Sequence, residues 1–109
     1  HVIGDVRGRN VLIVDDIIDT AGTLINTVAA LKEAGAERVF AGCVHAVLSG
    51  PAIDRLNASA IEKVFCSNSL PIDEKGARCP ILVPLSIGPL LGEAIHRIHE
   101  GTSVSSLFV

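Results

Sequence analysis

The chain has 109 residues, 49% of them hydrophobic and 19% charged, with a formal net charge of -3. That is one domain's worth of sequence with enough apolar material for a core, which excludes intrinsic disorder. The acidic balance and the scarcity of aromatics, only Phe40, Phe65 and Phe108, exclude a basic base-stacking surface, so no nucleic acid partner is expected.

Val11-Leu12-Ile13-Val14 is a bounded apolar run ended by Asp15-Asp16. Such runs are expected as strands buried on both faces of a parallel sheet. Asp19 to Thr23 is a turn-like segment of small and polar residues. From Leu24 the period changes: Leu24, Val28 and Leu31 fall on one helical stripe, which Gly35 ends. Arg38 to Leu48 reads as a second strand, completing a βαβ unit of about 30 residues. Ser49-Gly50-Pro51 breaks that strand and opens a helix running to Leu56 or Asn57. Ile61 to Cys66 is a third strand, and Pro71 to Arg78 a polar connection. Ile81-Leu82-Val83 is a fourth strand closed by Pro84. The last helix runs from about Pro89 to Glu100, with Leu91, Ala94, Ile95 and Ile98 on its apolar face. Val104, Leu107 and Phe108 form an apolar tail, read from its residues alone as a terminal strand. Alternating strands and helices predict an open α/β sheet.

Cys43, Cys66 and Cys79 are odd in number and lack metal-ligand spacing, so buried free thiols in a reducing cytoplasm are expected. No apolar run reaches the roughly 18–20 residues of a membrane span. With His1 first and no methionine anywhere, the chain is expected to be a piece of a longer protein.

The chemistry concentrates between the first strand and the first helix, where open α/β sheets bind ligands. The amides of Thr20 to Thr23 lie at a helix start and can converge on an anion. Gly22 keeps side-chain bulk away from a phosphate, and the Thr20 and Thr23 hydroxyls can donate further hydrogen bonds. Asp15 and Asp16 would repel a bare phosphate, but they suit the hydroxyls of a sugar or a Mg²⁺ ion. A sugar phosphate satisfies all these groups together. A Walker A loop would need a Lys after the glycine, and a dinucleotide fingerprint would need three glycines. A receiver domain also has acids at strand ends, but not leading into such a cradle. The same residues could otherwise be only a strand end and a helix cap.

Val14-Asp15-Asp16-Ile17-Ile18-Asp19-Thr20-Ala21-Gly22-Thr23 resembles the phosphoribosyl-pyrophosphate motif shared by type I phosphoribosyltransferases and class I phosphoribosyl-pyrophosphate synthetases (ribose-phosphate diphosphokinases). The remainder resembles the synthetases: His1-Val2-Ile3-Gly4-Asp5-Val6, Ser49-Gly50-Pro51-Ala52, Glu93-Ala94-Ile95 and Ser103-Val104-Ser105-Ser106-Leu107-Phe108. The resemblance implies a type I phosphoribosyltransferase-like α/β fold, a mainly parallel sheet with helices on both faces. Residues 1–109 would be the C-terminal domain, or half, of the enzyme. It implies transfer of the diphosphoryl group of ATP to the C1 hydroxyl of ribose 5-phosphate with Mg²⁺, in a cytoplasmic homohexamer away from membranes. Asp19, Thr20, Ala21, Gly22 and Thr23 would hold the 5-phosphate, Asp15 the ribose hydroxyls, and Asp16 ribose or metal. The Asp19 carboxylate is expected to face the ribose. Ala21 stands where many relatives have glycine, and its small methyl should be tolerated if φ there is negative. Ser103, Val104 and Ser105 would join an allosteric site for inorganic phosphate or ADP. The family's catalytic Lys and Arg, on a flexible loop, and its N-terminal domain would lie upstream, leaving these residues inactive alone. A phosphoribosyltransferase and a non-catalytic synthetase-associated subunit are the alternatives.

The other polar residues carry less. His96 and His99, three apart on the last helix, read as solvated, and His45 as a buried polar strand residue. Lys75 and Arg78 read as solvated loop cations.

Overall fold

A computed structural model describes residues 4–108, so the His1-Val2-Ile3 part of the resemblance lies outside the described residues. The elements are β1 (Asn10–Ile18), α1 (Gly22–Glu33), β2 (Arg38–Ala46), α2 (Ala52–Asn57), β3 (Ile61–Ser67), α3 (Asp73–Arg78), β4 (Leu82–Leu85) and α4 (Gly88–Glu100). A 3-10 turn follows at Ser105–Phe108. The strands form one sheet in the order β1-β2-β3-β4, and every neighbouring pair is parallel.

Sequential order has a steric consequence. Right-handed crossovers that each advance one strand put their helices on the same side of the sheet. The core accordingly joins Val28 and Leu31 of α1 and Ile53 and Leu56 of α2 to Val39, Ala41 and Cys43 of β2 and Val64 and Cys66 of β3. The other face is left to α4, which follows the last strand. Leu90 and Leu91 of α4 meet Val14, Gly42, Val44 and Phe65 across an apolar cleft of about 510 Å³. Helices thus stand on both sides, but only one side is sealed. Leu12 is 58% exposed and Val14 74%, against the expectation that both faces of β1 are buried. The apolar stripe of α4 is present, yet no residue of α4 is buried, and Ile95 and Ile98 face solvent.

Four elements differ from expectation. β4 is not closed by Pro84 but runs through it to Leu85, with Pro84 opposite Cys66, because an edge strand tolerates a residue without an amide donor. β1 does not end at Asp15-Asp16: its ladder with β2 continues through Asp15↔Cys43 and Ile17↔His45 to Ile18↔Ala46. Each carboxylate folds back onto the next amide, Asp15 accepting from Asp16 N–H at 2.8 Å and Asp16 from Ile17 N–H at 2.8 Å. The connection at Pro71 to Arg78 contains α3, too short and too polar for a hydrophobic period to reveal. Lys75 on it is half-buried rather than freely solvated, and its ammonium donates to the Val47 carbonyl at 2.5 Å. The tail is a 3-10 turn rather than a strand, held by Arg97 Nη1 donating to the Ser103 carbonyl at 3.1 Å. His45 is exposed, with Nδ1 bonded to the Ser69 hydroxyl at 2.8 Å.

Helix α1 ends as expected. Gly35, at φ 96°, makes the left-handed turn. The Gly35 and Ala36 amides donate back to the Lys32 and Leu31 carbonyls at 3.0 Å each.

All three cysteines are free and buried. Burial, helped by the neighbouring Cys66 thiol, pushes the Cys43 thiol from 9.0 up to about 11. An unfolded chain releases that proton first, so the associated stability is complete below about pH 9 and is lost as pH rises toward about 11. Urea unfolding should show a lower midpoint at about pH 10.5 than at about pH 8. A Cys43→Ala variant should lose less over the same interval. A second comparison tests the one-sided core: Leu56→Ala, at a fully buried position, should cost about 2–5 kcal/mol, whereas Leu12→Ala should stay within about 0.5 kcal/mol.

Candidate functional site

The site lies at the carboxyl end of β1, where the chain turns into α1. Asp15, Ile17 to Leu24 and the intervening backbone enclose an open concavity of about 250 Å³. Asp15, Asp19, Thr20, Ala21, Gly22 and Thr23, six of the seven expected binding residues, line it together. Asp16 stands beside it, since alternation along a strand turns neighbouring side chains to opposite faces. Hydrogen bonding with the Asp15 side chain, and then with the Ile17 amide, holds the Asp16 carboxyl below the usual carboxylate range.

The loop is built to leave amides free. The residue that precedes α1 is Ala21, which has no side chain able to cap the helix, and no acid occupies the first turn. The first amides of a helix have no intrahelical acceptors, and here no side chain replaces them. With the helix dipole behind them, they favour an anion.

Ala21 has φ 64° and ψ 10°, so the condition for an unstrained alanine, a negative φ, is not met. A left-handed conformation presses the methyl toward the following carbonyl, at a cost of about 1–2 kcal/mol. Gly22 lines the concavity, and it also has a close neighbour that its sequence context did not reveal. A Cβ at residue 22 would lie 3.2 Å from Arg55 Nη1. Glycine therefore makes room for an arginine of α2.

Asp19 does not simply face the concavity. Its carboxylate accepts a hydrogen bond from the Ser49 hydroxyl, and its carbonyl accepts from the Ser49 amide at 2.9 Å. The Ile18 carbonyl takes the Val47 and Leu48 amides, each at 3.1 Å. Leu48, buried, is a second non-glycine residue at positive φ, 53°. The end of β2 thus braces the end of β1. Arg55 was not singled out in the sequence, and nothing there linked Ser49 or Lys75 to this loop. Arg55 lies 33 residues beyond Gly22, and only the parallel crossover puts α2 beside the start of α1.

Ser103, Val104 and Ser105 do not line the concavity. They sit past the end of α4, where the Ser103 and Ser105 hydroxyls bond to each other at 2.9 Å. Arg97 holds this segment and also pairs with Glu93 at 3.0 Å. Among the described residues, no three His, Cys, Asp or Glu side chains converge on a point where a metal could sit. No described helix is long and apolar enough to cross a membrane.

Comparison with known proteins agrees over the whole chain. Residues 1–109 match the family described as Phosphoribosyl synthetase-associated domain. The chain is 54% identical over 107 residues to ribose-phosphate pyrophosphokinase of Aquifex aeolicus (strain VF5), covering 98% of the chain and 34% of that protein. It is 50% identical over 109 residues to the chloroplastic ribose-phosphate pyrophosphokinase 2 of Arabidopsis thaliana, covering 100% of the chain and 27% of that protein. The crystal structure of phosphoribosylpyrophosphate synthetase from Mycobacterium smegmatis superposes with a TM-score of 0.86 at 42% identity, over 91% of the chain and 33% of that structure. The chain therefore spans about a third of the length of the curated relatives it matches.

The strain at residue 21 can be tested directly. Ala21→Gly removes the left-handed penalty but frees the unfolded chain, so it should stabilise by about 0.5–1 kcal/mol in thermal or urea unfolding. A destabilising result would mean that the buried Ala21 methyl contributes more packing than its backbone costs.

Proposed function

The chain belongs to the phosphoribosyl synthetase-associated family, and we propose that it forms the C-terminal, ribose 5-phosphate-binding part of a ribose-phosphate diphosphokinase. The observation that carries this reading is the uncapped start of α1 opening into the same concavity as Asp15. The 5-phosphate sits on the amides of Ala21 to Thr23, with the Thr20 and Thr23 hydroxyls at its rim. The Asp15 carboxylate accepts from the ribose hydroxyls, fixing the sugar so that its C1 hydroxyl points out of the loop.

The parent reaction transfers the diphosphoryl group of ATP to that hydroxyl and releases AMP. Phosphoryl transfer needs in-line alignment and neutralisation of charge. This chain supplies alignment of the acceptor. The cations that neutralise the transferred group come from the rest of the protein. Asp15 and Asp16 offer hard oxygen donors that fit a Mg²⁺ ion, and two carboxylates leave most of its shell to substrate oxygens and water. When bound, Mg²⁺ supplies charge neutralisation at the phosphates. Inorganic phosphate and ADP act as effectors at Ser103, Val104 and Ser105, and the parent is a cytoplasmic homo-oligomer.

The test is product analysis. With this chain in place of the matching segment of the Aquifex aeolicus relative, ATP and ribose 5-phosphate should yield AMP, while the chain alone should yield none. Asp15→Asn in the chimera should raise the KM for ribose 5-phosphate at least about tenfold, as loss of a charged hydrogen bond of about 1.5–3 kcal/mol implies. Pyrophosphate release dependent on an added base would instead establish a phosphoribosyltransferase. A chimera that folds but makes no AMP would fit a non-catalytic associate.

A further inference from the structure

The loop holds a strained residue, and α2 reaches it with a cation. Arg55 Nη1 donates to the Thr20 carbonyl at 3.0 Å. No described peptide bond is cis. In a trans peptide the carbonyl and the following N–H point in opposite directions. Tying the Thr20 carbonyl to Arg55 therefore aims the Ala21 N–H away from α2. Ala21 lines the concavity and Arg55 does not. That orientation leaves the amide free to face the concavity that Ala21 lines.

The alternative orientation is accessible. A half-turn of the Thr20–Ala21 peptide would take φ of Ala21 to about −116° at unchanged ψ, out of the left-handed region, where an alanine is disfavoured, into the bridge region beside the right-handed helical one. It would also present a carbonyl oxygen to the anion site in place of an N–H. The intrinsic preference of Ala21 and the demands of an anion therefore oppose each other. Three contacts favour the anion-receiving orientation. Arg55 holds the Thr20 carbonyl, Gly22 leaves the space that Arg55 Nη1 occupies, and Ser49 fixes Asp19 on the preceding side.

We propose that Arg55 is a positioning residue, which holds the Thr20–Ala21 peptide in its strained, amide-inward orientation and so sets the affinity of the loop for a phosphate group. The inference rests on the phosphate reading of the loop given above. Arg55 acts from behind the loop, through the backbone.

The experiment uses inorganic phosphate as the probe and follows the Ala21 and Gly22 amide resonances of the chain. Arg55→Ala should weaken phosphate binding about tenfold and abolish the phosphate-induced shift of the Ala21 amide. The decisive variant is Arg55→Ala combined with Ala21→Gly. Glycine takes positive φ without penalty, so the double variant should recover at least half of the lost affinity on a logarithmic scale. A role of Arg55 in folding alone predicts no such rescue. Arg55→Lys, which keeps one donor, covers the case in which the alanine variant fails to fold, and should weaken binding about threefold. Unchanged phosphate affinity in Arg55→Ala, or absence of rescue by Ala21→Gly in the folded double variant, overturns the proposal.

Activity separates the two readings. If the chimera makes AMP and Arg55→Ala leaves the KM for ribose 5-phosphate unchanged, only the role of Arg55 fails. If the unsubstituted chain neither binds phosphate nor supports AMP formation in the chimera, the sugar-phosphate reading itself fails.

Discussion

The parallel ladder between β1 and β2 is the constraint on which the site depends. From Asn10↔Arg38 to Ile18↔Ala46 it brings the two strands to their carboxyl ends together. The loops that leave those ends are then neighbours, although about 30 residues separate them. Ser49 can reach Asp19, and the Val47 and Leu48 amides can close on the Ile18 carbonyl. A slip of one residue would turn Asp15 to the opposite face and dismantle the concavity. The core protects against that slip, because Val39, Ala41 and Cys43 are buried on the same side as Val28 and Leu56.

Strain at this junction is concentrated rather than spread. Ala21 and Leu48, the two described non-glycine residues at positive φ, flank the contact between the loops. Such residues persist where surrounding structure over-determines them. Here the surroundings are hydrogen bonds to Asp19, Ile18 and Thr20, with Lys75 of α3 holding the Val47 carbonyl from the far side. A loop whose first helical amides carry no side-chain cap gains no stability from one. Its conformation is imposed instead from the adjacent crossover.

The same topology accounts for the uneven burial of the sheet. Crossovers of one hand place α1 and α2 together, so the opposite face depends on what comes after β4 or from elsewhere. Helix α4 carries the apolar stripe of a packing helix, but no residue of it is fully buried. Relatives about three times as long contain much more chain than is present here.

Much of this was legible in the residues. The change of period at Leu24, the stop at Gly35 and the break at Ser49-Gly50-Pro51 mark elements through local sterics that act wherever the chain lies. The string from Asp15 to Thr23 named its own chemistry, because free amides, hydroxyls and carboxylates are properties of a short segment at a helix start. Other features were not legible. The six residues of α3 offer no hydrophobic period. The sign of φ at Ala21 opposes alanine's own preference, and the partners of Gly22 and Asp19 are distant in sequence. The sequence by itself determined which amides, hydroxyls and carboxylates the segment from Asp15 to Thr23 offers. Only the tertiary structure decided how they are held, because the Arg55 and Ser49 contacts that impose a strained backbone on the loop exist only once β2 lies parallel to β1.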